Sequence, residues 1–170
     1  MDTISDTLFS MEQYTLPNEP TPGGMSESCD EGSITEQVFA LECMRRGYEV
    51  FWPANHSTTV DLIIRANAGP PVMIQVKKAS YQKPRTSGAQ DAWKVMHGSG
   101  KPSSAANPND YGKRYRRYVR GDFDVLAAYI SERNSFWFAG IDDVVQTSCG
   151  RWRAGLVENN WSVIDAMAAA

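Results

Sequence analysis

Three features of the chain predict an α/β fold, a mixed β-sheet core flanked by helices. Apolar runs of strand length recur at residues 48–52, 60–65, 72–77, 124–130 and 135–141. A stretch with helical spacing, from Ser33 to just before Gly47, precedes them all. The segments between are punctuated by Gly, Pro, Ser and Asn, the residues of turns. At 170 residues the chain has room for one domain with a substantial core, plus tails.

The elements follow in order. Ser33 with Glu36 three residues later reads as a capping box, and Gly47 after Arg45 and Arg46 reads as a helix stop. The apolar residues of this helix (Ile34, Val38, Phe39, Leu41, Cys43, Met44) wrap most of its surface, so it should pack on a sheet and on something else besides. Residues 48–52 alternate as a strand ended by Pro53, and a polar loop, 54–59, leads into the next strand, 60–65. The turn Gly69-Pro-Pro71 is short enough to join it to 72–77 as a hairpin. Residues 80–121 form a long Gly/Ser/Pro/basic stretch, with short helical pieces expected around 89–96. Two more strands, 124–130 and 135–141, are joined by the turn 131–134, and a short helix starts at Asp142. These elements divide the chain into a leader, 1–31, a core domain, 32–150, carrying an insertion, 78–120, and a C-terminal extension, 151–170.

Charge separates these regions sharply. The leader holds seven acids and no Lys or Arg, a composition expected to be disordered, with Phe9, Met11 and Tyr14 as its only grip on the domain. Residues 77–120 hold eleven Lys/Arg against two acids, although the whole chain carries only −3. A basic segment of that kind suits a polyanion, and the leader is expected to compete for it. The three cysteines (Cys29, Cys43, Cys149) form no Cys-x-x-Cys pair, which argues against a disulfide framework and for a reducing, cytoplasmic setting. The longest apolar runs are too short to span a bilayer, and the N-terminus shows no export signal, so no membrane is expected as a partner.

The chemistry concentrates on the hairpin. Side chains two apart on a strand share a face, so Gln75 and Lys77 can both look at Asp61 across the ladder. Asp61, the amide oxygen of Gln75 and the backbone carbonyl of Val76 offer a hard cation such as Mg²⁺ an all-oxygen set, with Glu36 of the helix in reach through water. Lys77 would orient a nucleophile or steady the charge of a phosphorane, which is the equipment for phosphodiester hydrolysis. Taken singly these residues have plain explanations: a strand-end acid, a solvated lysine, a capping glutamate. The segment Tyr111-Gly-Lys-Arg-Tyr-Arg-Arg-Tyr118 interleaves aromatics with cations, and Lys78, Lys83, Arg85, Lys113, Arg114, Arg116 and Arg117 are candidate phosphate contacts. Five or six such contacts imply a slope of log affinity on log salt of roughly −5. Gly98-Ser-Gly-Lys-Pro-Ser103 fails as a phosphate loop, because Val95 and Pro102 stand where a glycine and a hydroxyl residue are required. His56 and His97 make no zinc site without a cysteine pair. Phe136-Trp-Phe138 reads as core.

Gly32-Ser-Ile-Thr-Glu36, Arg46-Gly-Tyr-Glu-Val50, the Asp61 strand and Ile74-Gln-Val-Lys77 together resemble the PD-(D/E)XK nuclease superfamily. Within it the chain most resembles the small cyanobacterial-type group I intron homing endonucleases, a branch similar in having Gln in place of the second acid, and residues 121–129 and 136–138 resemble its two later strands. The resemblance covers about residues 32–145 and departs from the pattern at Val60, where a proline is usual. It implies a restriction-endonuclease-like core, Mg²⁺ dependence, double-stranded DNA as substrate, and a homodimer or homotetramer that sets two active sites across the duplex. It carries Glu36, Asp61, Gln75 and Lys77 over as catalytic positions. Two alternatives stay open at this point: a Holliday junction resolvase-like nuclease, whose helix–acid–hairpin order is the same, and a DNA-binding module with an inactive nuclease core.

Overall fold

The computed structural model describes residues 27–55, 59–100, 115–147, 149–153 and 157–169. The first helix, α1 (Glu27–Arg45), is followed by strands β1 (Tyr48–Phe51), β2 (Leu62–Ala66) and β3 (Val72–Lys78). Three short strands come next, β4 (Ser80–Gln82), β5 (Ala92–Met96) and β6 (Gly98–Gly100), then β7 (Tyr115–Arg117). The chain closes with β8 (Val125–Ile130), β9 (Ser135–Gly140), α2 (Ile141–Val145), β10 (Cys149–Arg153) and α3 (Ser162–Ala168).

The main sheet has five strands in the order β1-β2-β3-β8-β9. Its two outer pairings on one side, β1 with β2 and β2 with β3, are antiparallel, as is β8 with β9, whereas β3 and β8 run parallel. The parallel pair needs a crossover, and the long insertion supplies it. Both faces of β8 are covered, which is why its sequence, Val-Leu-Ala-Ala-Tyr-Ile, is nearly continuous in apolar residues rather than alternating. On one face Val72, Ile74, Val76, Val125 and Ala127 meet Phe39 and Cys43 of α1 and Ile164 of α3. On the other, Leu126, Ala128 and Ile130 meet Trp93 and Val95 of a second sheet, ordered β10-β5-β4, and Val144 of α2.

The helix start differs from the expectation. Ser33 lies inside α1, so the capping-box reading of Ser33 and Glu36 is wrong, and the helix runs six residues further back, to Glu27. The buried stripe Thr35, Phe39, Cys43 recurs every four residues, and it holds the helix on the sheet. Thr35 satisfies its buried hydroxyl by donating to the Glu31 carbonyl oxygen at 2.8 Å. Phe39 lies parallel to Trp161, centroids 5.7 Å apart, and edge-on to Phe136 at 5.2 Å. The second packing partner expected for α1 is therefore the segment leading into α3. The helix nevertheless leaves Ile34, Leu41 and Met44 exposed. Gly47 stops it as expected, at φ +85°, a conformation that suits glycine.

Within the insertion, residues 92–96 form a strand and not the helical pieces expected for 89–96. Trp93 and Val95 alternate inward there, a period of two that the surrounding Gly and Ser obscured. Tyr118 is buried against Phe123, with ring centroids 4.8 Å apart, so this last aromatic of the basic segment is a core residue. The phosphate-loop mimic begins with β6, which pairs antiparallel with β7. Phe136 and Phe138 are core as expected. Burial pushes the Cys43 thiol up to about 12, so it stays protonated and unreactive. Among the described residues no helix is long and apolar enough to cross a membrane.

Candidate active site

The antiparallel register that pairs Leu62 with Ile74 sets Asp61, one residue before β2, beside Gln75 of β3. The Asp61 backbone N–H donates to the Ile74 carbonyl at 2.9 Å, which continues the ladder by one rung and fixes where the carboxylate stands. Its Oδ2 accepts a hydrogen bond from the Val76 N–H at 2.8 Å and another from Gln75 Nε2. The same amide nitrogen reaches the Val76 carbonyl oxygen at 3.1 Å. Gln75 is only 4% exposed, so its amide is committed to this cluster. Strand alternation puts Lys77, two residues on, on the side of β3 that carries Gln75, whose amide meets Asp61. Its charge acts on both Asp61 and Glu36.

Both acids are held back from ionising. Burial, opposed by the bonds from Val76 and Gln75 and by the Lys77 charge, holds the Asp61 carboxyl above the usual range. Burial, and next the Asp61 charge, raise Glu36 as well, while Lys77 pulls it back. Two carboxyls that resist ionisation, with the Lys77 charge only partly offsetting their burial, make a site short of positive charge.

The fold and this geometry set the chain against known proteins. A family model for PD-(D/E)XK endonucleases matches residues 26–159, most of the chain. The chain belongs to the PD-(D/E)XK endonuclease family. It is also similar to a solved structure, the bacterial homing endonuclease I-Ssp6803I, with 18% identity, 79% of this chain and 80% of that chain covered, and a TM-score of 0.59. That likeness shows the fold, a restriction-endonuclease-like mixed sheet flanked by helices. A search of curated proteins finds no match.

Endonucleases of this family generally use divalent metals, and the residues present fit one. Among the described residues no three His, Cys, Asp or Glu side chains gather into a metal cluster. Gln75 supplies an amide, and not a third acid, beside Asp61. Its nitrogen touches two oxygens, Asp61 Oδ2 and Val76 O. Turned over, the amide would bring a third oxygen to the same point, an arrangement that only a cation makes favourable. Asp61, Gln75 and Val76 would hold it, with Glu36 outside.

The candidate phosphate contacts divide. Lys83, Arg85 and Arg117 are exposed. Lys78 projects from the opposite face of β3 to Lys77 and forms an ion pair of 2.9 Å with Glu31, one of the leader's acids. Arg116 is placed in β7 by its backbone, whereas Lys113 and Arg114 lie outside the described residues, as do His56, Phe9, Met11 and Tyr14. His97 is buried, with Nδ1 2.8 Å from Thr147 Oγ1, a packing role. Sequence reasoning missed the two acids that hold the loop into β8. Asp124 Oδ2 accepts from the Met73 N–H at 2.8 Å and Asp122 Oδ2 from the Val119 N–H at 2.9 Å. The Gly-Asp-x-Asp pattern at 121–124 was their only signal.

Proposed function

We propose that this protein is a Mg²⁺-dependent endonuclease that hydrolyses phosphodiester bonds in double-stranded DNA, of homing type, working in the cytoplasm as a homodimer or homotetramer. The observation that carries this reading is the meeting of Asp61, the Gln75 amide and the Val76 backbone at one point, with the Lys77 charge beside them. Family membership supports the nuclease activity, and the fold likeness to a bacterial homing endonuclease supports the homing type.

A bound Mg²⁺ would polarise the scissile phosphate and lower the pKa of a coordinated water. Asp61 accepts from the Val76 N–H, a bond that remains when the Gln75 amide turns its oxygen to the metal, so the carboxylate would stay oriented for the reaction. Lys77 would hold the attacking water in line and steady the charge gathering on the phosphate oxygens. Glu36, whose carboxyl is held above its usual range, would take a hydrogen bond from an outer water and keep it oriented. With Gln75 neutral, the site carries one charge less than an acid there would give, so it should demand more free Mg²⁺.

The test is cleavage of a long linear duplex and of a four-way junction in Mg²⁺, with Asp61→Ala and Lys77→Ala alongside. Cutting of the duplex at one site, abolished by EDTA and reduced at least 100-fold in both variants, is expected. Junction cleavage regardless of sequence would make the protein a resolvase. No nicking in Mg²⁺ or Mn²⁺ at any protein concentration would make it a binding module.

A further inference from the structure

The second sheet has two unlike faces. Trp93 and Val95 of β5 turn into the core. Alternate residues turn the other way: Ser80 and Gln82 of β4, Lys94 of β5, Arg151 and Arg153 of β10. Register sets Arg151 opposite Lys94, with Ser80 opposite Lys94 on its other side. Directly opposed side chains of an antiparallel pair stand with Cβ atoms about 5 Å apart, and two like charges in that arrangement are destabilising.

The protein does not leave its cations unpaired everywhere. Arg45 and Arg46 pair with Glu42, Arg65 with Glu49, Lys78 with Glu31, Arg120 with Asp142 and Arg133 with Glu158. Lys94, Arg151 and Arg153 have no ion-pair partner among the described residues. Asp91, the acid just before β5, accepts a hydrogen bond from the Tyr81 hydroxyl at 2.7 Å. Three cations with no ion pair among the described residues stand on one sheet face, two of them opposed, a surface suited to an external polyanion.

We infer that the outer face of this second sheet is a contact surface for the DNA backbone, with Lys94, Arg151 and Arg153 on phosphates and Ser80 and Gln82 as neutral donors. The inference rests on the nuclease reading above and adds to it a surface outside the catalytic cluster. Arg151 and Arg153 are two residues apart on a strand, about 6.8 Å. DNA carries one phosphate per strand for about every 3.4 Å of duplex axis, so cations that far apart can each meet a phosphate. The contact is sequence-tolerant, because phosphates carry no base information. It is also coupled to the catalytic strand. β4 starts three residues after Lys77, and the Ala79 N–H between them is tied to the Tyr129 carbonyl at 2.8 Å.

The full-length protein, Arg151→Gln and Arg151→Gln/Arg153→Gln are compared for binding to linear duplex DNA across a salt series, with Arg65→Gln as the control from a paired cation. The double variant is expected to lose about two units of the log affinity against log salt slope, and Arg65→Gln none. Arg151→Gln alone is expected to raise the melting midpoint of the DNA-free protein at low salt, since it relieves the opposition with Lys94. An unchanged slope in a double variant that melts like the parent overturns the inference while leaving the nuclease reading intact. An equal loss in Arg65→Gln overturns it in favour of a diffuse field, and equal competition by polyglutamate overturns it in favour of an acidic protein partner. A parent that neither binds nor cuts duplex DNA removes the nuclease reading and this surface together.

Discussion

Asp61 is expensive to keep charged. Burial raises its folded-state pKa above the unfolded value, so the folded protein binds more protons than the unfolded chain in the window above the ordinary carboxylate pKa. Stability contributed by that extra proton is present at low pH and is lost as pH rises through the raised value. Asp61→Asn removes the buried charge while keeping an oxygen for the Val76 N–H. In the metal-free protein it should raise the melting midpoint at pH 8, about 2–4 °C for each kcal/mol recovered, and should give no gain near pH 4. Mg²⁺ should raise the midpoint of the parent and not of the variant. Gln75→Glu should act in the opposite sense, lowering the metal-free midpoint at pH 8 and enlarging the rise that Mg²⁺ brings. Calorimetry with and without Mg²⁺ checks both. These residues were legible in the sequence because strand alternation is simple. Gln75 and Lys77 had to share a face, and a tight hairpin had to put Asp61 opposite them. Arg151 and Arg153 were not legible, because their meaning comes from Lys94, more than fifty residues away in the chain, which only the register of β5 and β10 brings alongside.

Strands of the main sheet were readable for a related reason, since their apolar runs are long and their turns carry Gly, Pro or Asn. The start of α1 was not, because an acidic, Ser-rich stretch gives no apolar stripe to follow, and Ser33 offers a false cap. β4, β5 and β10 were hidden as well, because polar and charged residues and Gly break up their apolar runs (Ser80-Tyr-Gln82, Ala92-Trp-Lys-Val-Met96, Cys149-Gly-Arg-Trp-Arg153). α3 shows how much a short element can carry. Trp161 and Ile164 complete the core over Phe39, and the Tyr48 hydroxyl donates to Asp165, which ties α3 to the start of β1. Gly69 accepts this helix at close quarters, because a Cβ there would collide with the Ala168 carbonyl oxygen. Gly69→Ala should therefore displace the end of α3 and cost about 1–3 kcal/mol in urea unfolding, although the residue is far from the active site in role. Phe39→Ala should cost more, about 3–5 kcal/mol, since three aromatic neighbours lose their partner.

At the scale of the molecule, charge is segregated in a way the net value of −3 conceals. The leader is acidic, the insertion basic, and the one described contact between them is the ion pair of Glu31 with Lys78. Deleting residues 1–26 removes Asp2, Asp6, Glu12 and Glu19 while leaving that pair in place. Non-specific duplex binding should tighten at low salt, and the difference should vanish by about 0.5 M as screening shortens the reach of the tail. Equal binding at every salt would show the leader to be electrically idle.

The crossover between β3 and β8 has a consequence for how such a nuclease acquires a new target. Its two ends are clamped to adjacent strands, Asp124 N–H to the Met73 carbonyl and Ala79 N–H to the Tyr129 carbonyl, each at 2.8 Å. The chain leaves β3 at the Ala79 clamp and must return at the Asp124 clamp, free to vary between them wherever it does not supply core residues such as Trp93, Val95 and Tyr118. Doubling the length of such an excursion adds only about 0.6 kcal/mol of closure entropy. The scissors and the grip can therefore be refashioned separately, with the clamps as the points of exchange.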